Sequence, residues 1–271
     1  MARPGVDRPW VVAHRGASSE IAEHTARAYE KAIEQGADAV ECDVRLTRDG
    51  HLVCLHDSTL SRTSDGRGRV SEVTLREMRD LDFSGWRTDL PETADDLIAE
   101  EPVEALPVLA FDDLLDLVVS APRPLRLFVE TKHPTRFGGL VEEQVVASLA
   151  QHGLHEPTDP LQSSITVMSF ATTAVRRVHT LAPKLPTVQL YTTVPPLRRD
   201  GTLPRGIKIV GVGIETLHRH PSYVRRVHRQ GNRCYVFTVD DPADVELSLS
   251  LGVEGIISNR PAMVRDLVEA A

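Results

Sequence analysis

Eight short apolar runs, each bounded by Gly, Pro or polar residues, recur along this 271-residue chain, most of them separated by stretches of helical periodicity. The runs are Trp10–Ala13, Ala39–Val44, Leu125–Glu130, Ser164–Met168, Thr187–Leu190, Ile207–Val212, Cys234–Phe237 and Glu254–Ile257. Between them the spacing predicts helices over Glu23–Gln35, Phe111–Ser120, Leu140–Gln151, Thr172–Leu181, Ser222–Gln230, Pro242–Ser250 and Pro261–Glu269. Strands alternating with helices pair in parallel, because each crossover helix returns the chain to the same end of the sheet. Eight such units in about 260 residues have the size of a (β/α)8 TIM barrel, with a doubly wound open sheet as the alternative α/β arrangement.

The rhythm breaks between Asp57 and Pro107, a segment rich in Gly, Asp, Arg and Thr that contains Ser64-Asp65-Gly66-Arg67-Gly68-Arg69 and an acidic stretch from Asp95 to Glu104. Its apolar content is too low to close a second core, so residues 57–107 are expected to form an insertion over the C-terminal face of one domain spanning residues 1–271. Gly66-Arg67-Gly68 follows no strand and opens no helix, which makes it a turn and not a phosphate loop.

Charge narrows the function. Lys and Arg total 31 against 39 Asp and Glu, a net charge of −8, the wrong sign for a chain whose main partner is nucleic acid. No apolar run approaches the ~20 residues that span a bilayer, so no integral membrane association is expected. The first ten residues leave no room for the basic and apolar regions of a signal peptide, and three Cys without a CxxC spacing suggest reduced thiols. Both point to a cytoplasmic protein. The Arg- and His-rich stretch from His218 to Arg233 reads as a solvated helix face.

In a barrel the chemistry gathers where strands end at the C-terminal face. The first strand ends in His14-Arg15-Gly16, the second carries Glu41-Cys42-Asp43, a short extended run Leu52–Leu55 ends in His56-Asp57, and the third barrel strand ends in Glu130-Thr131-Lys132. Side chains alternate along a strand, so Glu41 and Asp43 share one face, as do Glu130 and Lys132, while Cys42 and Thr131 point the other way. Three carboxylates converging on one mouth repel one another unless a cation intervenes, and all-oxygen donors suit a hard divalent ion, Mg²⁺ or Ca²⁺, with Mn²⁺ a third choice. Pairing of Glu41 and Asp43 with Arg15 and Arg45 is the competing structural explanation. Two histidines at the same mouth, His14 and His56, supply a proton acceptor and a proton donor near neutral pH, and Arg15 and Lys132 supply fixed positive charge. That set describes phosphodiester cleavage better than sugar or amide chemistry.

The strings His14-Arg15-Gly16, Glu23-His24-Thr25, Gly36-Ala37-Asp38, Glu41-Cys42-Asp43-Val44, Thr47-Arg48-Asp49-Gly50, His56-Asp57 and Arg62-Thr63 resemble the signature of the glycerophosphodiester phosphodiesterase family. Glu130-Thr131-Lys132, Ser169-Phe170 and the run Gly252–Ile257 resemble its later motifs. The resemblance implies a (β/α)8 barrel that hydrolyses a small-molecule glycerophosphodiester to glycerol 3-phosphate and an alcohol. It further implies a divalent metal on Glu41, Asp43 and Glu130, acid and base roles for His14 and His56, and phosphate contacts from Arg15 and Lys132. Phe170 and Phe237 read by default as core residues, but both stand at or beside strand ends, where a ring can pack on glycerol carbons, and Phe237 is the substrate-binding candidate. Three departures bear on substrate preference. His24 stands where the family usually has Asn, Phe237-Thr238-Val239-Asp240 replaces Trp-Thr-Val-Asn, and Ser258-Asn259-Arg260-Pro261 replaces Thr-Asp-x-Pro.

Other classes fit less well. A lysolipid-cleaving relative needs an apolar groove or a membrane-docking helix rich in Trp or Phe, which the chain does not show. A catalytically dead barrel kept for binding should have lost His14 or His56, and an amidohydrolase-type barrel should carry His-x-His where this chain has Val12-Ala13-His14. No Ser, Thr or Cys occupies an inward strand end beside a His, leaving water or the substrate's own adjacent hydroxyl as nucleophile, with the hydroxyl favoured by proximity.

Overall fold

The computed structural model describes residues 8–84 and 105–271; the acidic stretch from Asp95 to Glu104 lies outside the described residues. Its strands are β1 (Trp10–His14), β2 (Ala39–Leu46), β3 (Leu52–Cys54), β4 (Arg126–Thr131), β5 (Ile165–Ser169), β6 (Thr187–Tyr191), β7 (Ile209–Gly213), β8 (Arg233–Phe237) and β9 (Gly255–Ser258). The helices are α1 (Ala26–Glu34), α2 (Leu75–Arg79), α3 (Phe111–Val119), α4 (Leu140–Gln151), α5 (Thr172–Leu181), α6 (Ile214–Arg219), α7 (Ser222–Arg229), α8 (Pro242–Leu251) and α9 (Pro261–Ala270). All strands but β3 run parallel, and because β1 bonds to both β2 and β9 they close into an eight-stranded barrel. The expected TIM barrel is therefore the fold. β3 doubles back antiparallel on the end of β2, Val44 facing Cys54, and so carries the chain to His56 at the barrel mouth.

Two short helices, α2 and α6, lie outside the sequence expectation, since five and six residues show too little periodicity to be seen. The first helix also starts later than expected, at Ala26. Thr25 caps it by accepting a hydrogen bond from the Ala28 amide, leaving Glu23 and His24 in the preceding loop. Residues 57–84 carry α2 and bury Leu60, Val70, Leu75, Met78 and Phe83 against Val53 and Leu55 of the β3 region, a small satellite core not foreseen from composition. Gly66 to Gly68 is irregular loop, as expected, and α7 buries Tyr223, Val224 and Val227 while exposing Arg225 and Arg229.

Alternation along the strands produces two packed layers. Val12, Ala39, Phe128, Val188, Tyr235 and Ile257 fill the barrel interior, whereas Cys42, Val129 and Val167 pack outward under the helices. At the floor, Phe128 stacks on Tyr235 at 5.4 Å and meets Trp10 edge-on at 6.1 Å. Gly255 makes room for this plug, because a Cβ there would sit 2.9 Å from the Tyr235 ring. Phe128 is fully buried, so Phe128→Ala is expected to cost about 3–5 kcal/mol through lost transfer energy and the residual cavity. A urea titration in which the midpoint does not fall would contradict this packing. Among the described residues no helix is long and apolar enough to cross a membrane.

Candidate active site

Register assembles the site. Pairing of β1 with β2 sets His14 beside Glu41, and pairing of β2 with β4 sets Asp43 beside Glu130, all on inward positions above the aromatic floor. Glu41, Asp43 and Glu130 are buried, and each offers an oxygen such that all three lie within 4.8 Å of one another. Carboxylates this close and this dry do not all ionise freely. Burial and the neighbouring Asp43 charge push Glu130 up to about 7, and the same causes raise Glu41 well above the usual carboxylate range. Burial acts on Asp43 too, but the hydrogen bond to His24 and the charges of Lys132 and Arg15 outweigh it and hold Asp43 well below its ordinary value.

Two cations share this pocket. Lys132 Nζ lies 2.7 Å from Glu130 Oε1 and 3.2 Å from Asp43 Oδ1. Arg15 Nε lies 3.1 Å from Asp43 Oδ2, and the Arg15 amide donates to Glu41 Oε2 at 3.1 Å. Arg15 therefore pairs with Asp43, as the purely structural explanation requires, whereas Arg45 turns away and donates to the His56 carbonyl at 2.8 Å. Arg15 adopts φ +59°, a conformation uncommon for a residue with a side chain, and Gly16 follows at φ +87°. At Gly16 a Cβ would stand 2.6 Å from the Ala28 backbone, so only glycine lets this turn pack on α1.

His14 and His56 stand at the same mouth with different surroundings. His14 Nε2 is 4.0 Å from Glu41 Oε2 and its Nδ1 is 2.7 Å from Asn259 Oδ1. Burial, with Arg15 beside it, pushes His14 down to about 3. His56 is more exposed, its Nδ1 2.7 Å from Asp57 Oδ1. Burial lowers it as well, against the pull of Asp43 and with the help of Arg15 and Lys132, whose charges reach it. Phe237 closes the inward face of β8 and meets Phe170 edge-on at 5.8 Å; Phe170 is 42% exposed, so the pair forms an apolar edge at the strand ends.

Several residues around the site carry no role in the sequence reading. The most connected is His24, buried at φ +62°, whose Nε2 lies 3.0 Å from Asp43 Oδ2. The Tyr29 hydroxyl sits between His24 Nδ1 at 2.8 Å and the Glu41 carbonyl at 3.2 Å, tying helix α1 to both carboxylate positions. Glu23 accepts from Arg15 at 3.0 Å and from Arg62 at 2.7 Å, while Arg62 Nε donates to Asp57 Oδ2 at 2.7 Å. A continuous chain of hydrogen bonds and ion pairs thus runs from His56 through Asp57, Arg62, Glu23 and Arg15 to Asp43. The only sequence signals were the adjacency of Asp57 to His56 and the presence of Glu23 and Arg62 in strings that resemble the family signature; partnership across 39 residues has no local pattern.

The donor set fits a hard divalent ion. Its three members are carboxylates with no Cys or His among them, and two have raised proton affinities because burial penalises their charge and the Asp43 charge beside them adds to it. Comparison with known proteins agrees in outline. A model of the glycerophosphoryl diester phosphodiesterase family matches residues 14–263. A Mycobacterium tuberculosis protein named "Probable glycerophosphodiester phosphodiesterase 1" is 41% identical over 261 residues, covering 96% of this chain and 93% of its own. A Bacillus subtilis glycerophosphodiester phosphodiesterase is 34% identical over 259 residues, covering 94% and 85%. The structure of an Oleispira antarctica phosphodiesterase in complex with the product sn-glycerol-3-phosphate superposes with TM-score 0.80 at 22% identity, covering 97% of each chain, and so shares the fold. With a match from the first strand to the last helix and close relatives aligned over nearly their full length, the chain belongs to the glycerophosphoryl diester phosphodiesterase family.

Proposed function

We propose that this protein hydrolyses glycerophosphodiesters to glycerol 3-phosphate and an alcohol, with a divalent cation held by Glu41, Asp43 and Glu130. The observation that carries this reading is the carboxylate cluster within 4.8 Å, flanked at one barrel mouth by His14, Arg15 and Lys132. Counted by charge, three carboxylates against Arg15 and Lys132 leave one negative charge. A divalent ion reverses it to one positive, which a phosphodiester monoanion then neutralises. The ion, Mg²⁺, Ca²⁺ or Mn²⁺, supplies electrostatic stabilisation of the charge that develops on phosphorus oxygens.

The chain's own groups complete the reaction. His14 takes the proton from the glycerol hydroxyl adjacent to the phosphate, and that oxygen attacks phosphorus. Arg15 and Lys132 hold the non-bridging oxygens, and His56 delivers a proton to the departing alcohol. The resulting cyclic phosphate is opened by water with the roles reversed, His56 accepting the water proton and His14 returning its proton to the glycerol oxygen. Phe237 and Phe170 pack on glycerol carbons. Residues 57–84 are read as part of an insertion over the C-terminal face, supported by the Arg62 bridges to Glu23 and Asp57, and residues 85–104 of the expected insertion lie outside the described residues. A cytoplasmic setting suits Cys42, Cys54 and Cys234, all buried and unpaired.

The test is turnover of glycerophosphocholine, glycerophosphoethanolamine and glycerophosphoglycerol beside a lysolipid, together with an analogue of glycerophosphocholine lacking only the adjacent hydroxyl. The diesters are expected to release glycerol 3-phosphate. The deoxy analogue is expected to bind but turn over more slowly by at least about 10³-fold, since attack within one molecule gains several kcal/mol from proximity. Undiminished cleavage of the analogue establishes direct attack by water. Absence of glycerol 3-phosphate from every diester overturns the assignment of substrate.

A further inference from the structure

Asp240 and Asn259 are the two ends of one hydrogen bond: Asn259 Nδ2 donates to Asp240 Oδ2 at 2.6 Å. Asp240 is fixed from its other oxygen, which accepts from the Asn259 amide at 2.8 Å and from Ser258 Oγ at 2.9 Å. A carboxylate only accepts, so the amide group of Asn259 must turn its NH2 toward Asp240 and its Oδ1 the other way. Oδ1 then lies 2.7 Å from His14 Nδ1, and an amide oxygen can only be met there by an N–H. Neutral His14 therefore carries its proton on Nδ1. The lone pair falls on Nε2, the nitrogen on the carboxylate side of the ring, 4.0 Å from Glu41 Oε2.

We propose that Asp240, acting through Asn259, is the positioning residue that sets the tautomer of His14 and leaves Nε2 free to accept the substrate's proton. The inference rests on the reading of His14 as the base. A carboxylate placed directly on Nδ1 would set the tautomer by itself, whereas an amide there has two equally shaped ends and needs a second group to choose between them. Asp240 makes that choice: it takes the NH2 end of Asn259 and leaves Oδ1 to accept from His14 Nδ1–H and from Ser18 Oγ at 2.8 Å.

Asp240→Asn keeps the shape of the side chain and removes the obligate acceptor. Its amide oxygen can still take the bonds from Ser258 and the Asn259 backbone, which turns its NH2 toward Asn259, reverses that amide in turn and presents an NH2 to His14 Nδ1. The full-chain enzyme labelled with ¹⁵N-histidine, with Mg²⁺ present, is expected to show the His14 tautomer moving from Nδ1–H to Nε2–H in this variant. The kcat on glycerophosphocholine is expected to fall by about 10²–10⁴-fold with KM little changed. The double variant Asp240→Asn/Asn259→Asp restores a carboxylate facing Nδ1–H and is expected to recover the original tautomer and most of the lost kcat, which a general loss of packing would not allow. An unchanged tautomer in Asp240→Asn, or a double variant no better than the single one, overturns the proposal. The spectrum needs no turnover, so the two readings separate. If the tautomer reverses while His14→Ala keeps its rate, the relay stands and the base assignment falls; if His14→Ala loses its rate and the tautomer does not move, the relay alone falls.

Discussion

His14→Ala and His56→Ala are each expected to lower kcat on glycerophosphocholine by about 10²–10⁴-fold, the usual worth of one positioned acid or base, equivalent to about 3–5 kcal/mol of barrier. The expectation follows from where the two rings stand. His14 is held by Asn259 at Nδ1, with the Glu41 carboxylate 4.0 Å beyond Nε2, and burial keeps it neutral at working pH, as a base must be. His56 hangs on Asp57 and keeps enough exposure for the attacking water to reach it, which suits the residue that accepts that water's proton in the second step. Because burial lowers His14, the base, the acid limb of kcat/KM against pH is expected below the ordinary histidine value of 6.5, and because burial lowers His56, the acid, the alkaline limb is drawn down as well. Steady-state rates from pH 4 to 9 test both statements. Near-normal turnover in either variant removes that residue from the mechanism, and an acid limb above 7 contradicts the depressed proton affinity.

The barrel and the floor of the site were legible in the chain because each rests on a short period. Glu41 and Asp43 are two apart on a strand, so a single alternation decides that both point inward, and the same holds for Glu130 and Lys132. Once eight strands close in order, their C-terminal ends can only meet at one mouth. The network around that mouth is different in kind. Glu23 and Arg62, or Asp240 and Asn259, meet because loops between strands fold back, and loop paths follow turn conformations such as φ +62° at His24 that carry no repeat. His24 shows the limit well. Its replacement of Asn was visible as a departure, but only the fold places its ring on Asp43, where it helps keep the central carboxylate ionised. Charge bookkeeping was misleading in one respect: Arg45 and Arg15 look equivalent beside Glu41 and Asp43, and only the turn at Arg15 brings its guanidinium into the pocket.

Removing divalent ions is expected to abolish turnover, and Mg²⁺, Ca²⁺ or Mn²⁺ to restore it. Electrostatic stabilisation by an ion contributes several kcal/mol, so the rate is expected to fall by at least about 10³-fold. The physical reason lies in the proton affinities of the cluster. Glu130 at about 7 and Glu41 well above the usual carboxylate range mean that the site, left to itself, takes up protons to relieve repulsion; an ion relieves it instead and drives those protons off. Two readouts follow that do not depend on catalysis. Metal binding is expected to release protons near neutral pH, and the thermal midpoint is expected to climb with metal concentration because only the folded chain brings the three carboxylates within 4.8 Å. Glu130→Gln removes one ligand while keeping its shape, so it is expected to weaken metal affinity and flatten the climb of the midpoint. Full activity after exhaustive dialysis against chelator, with no metal found by elemental analysis, would leave Arg15 and Lys132 as the sole counter-charges and overturn the metal-dependent reading.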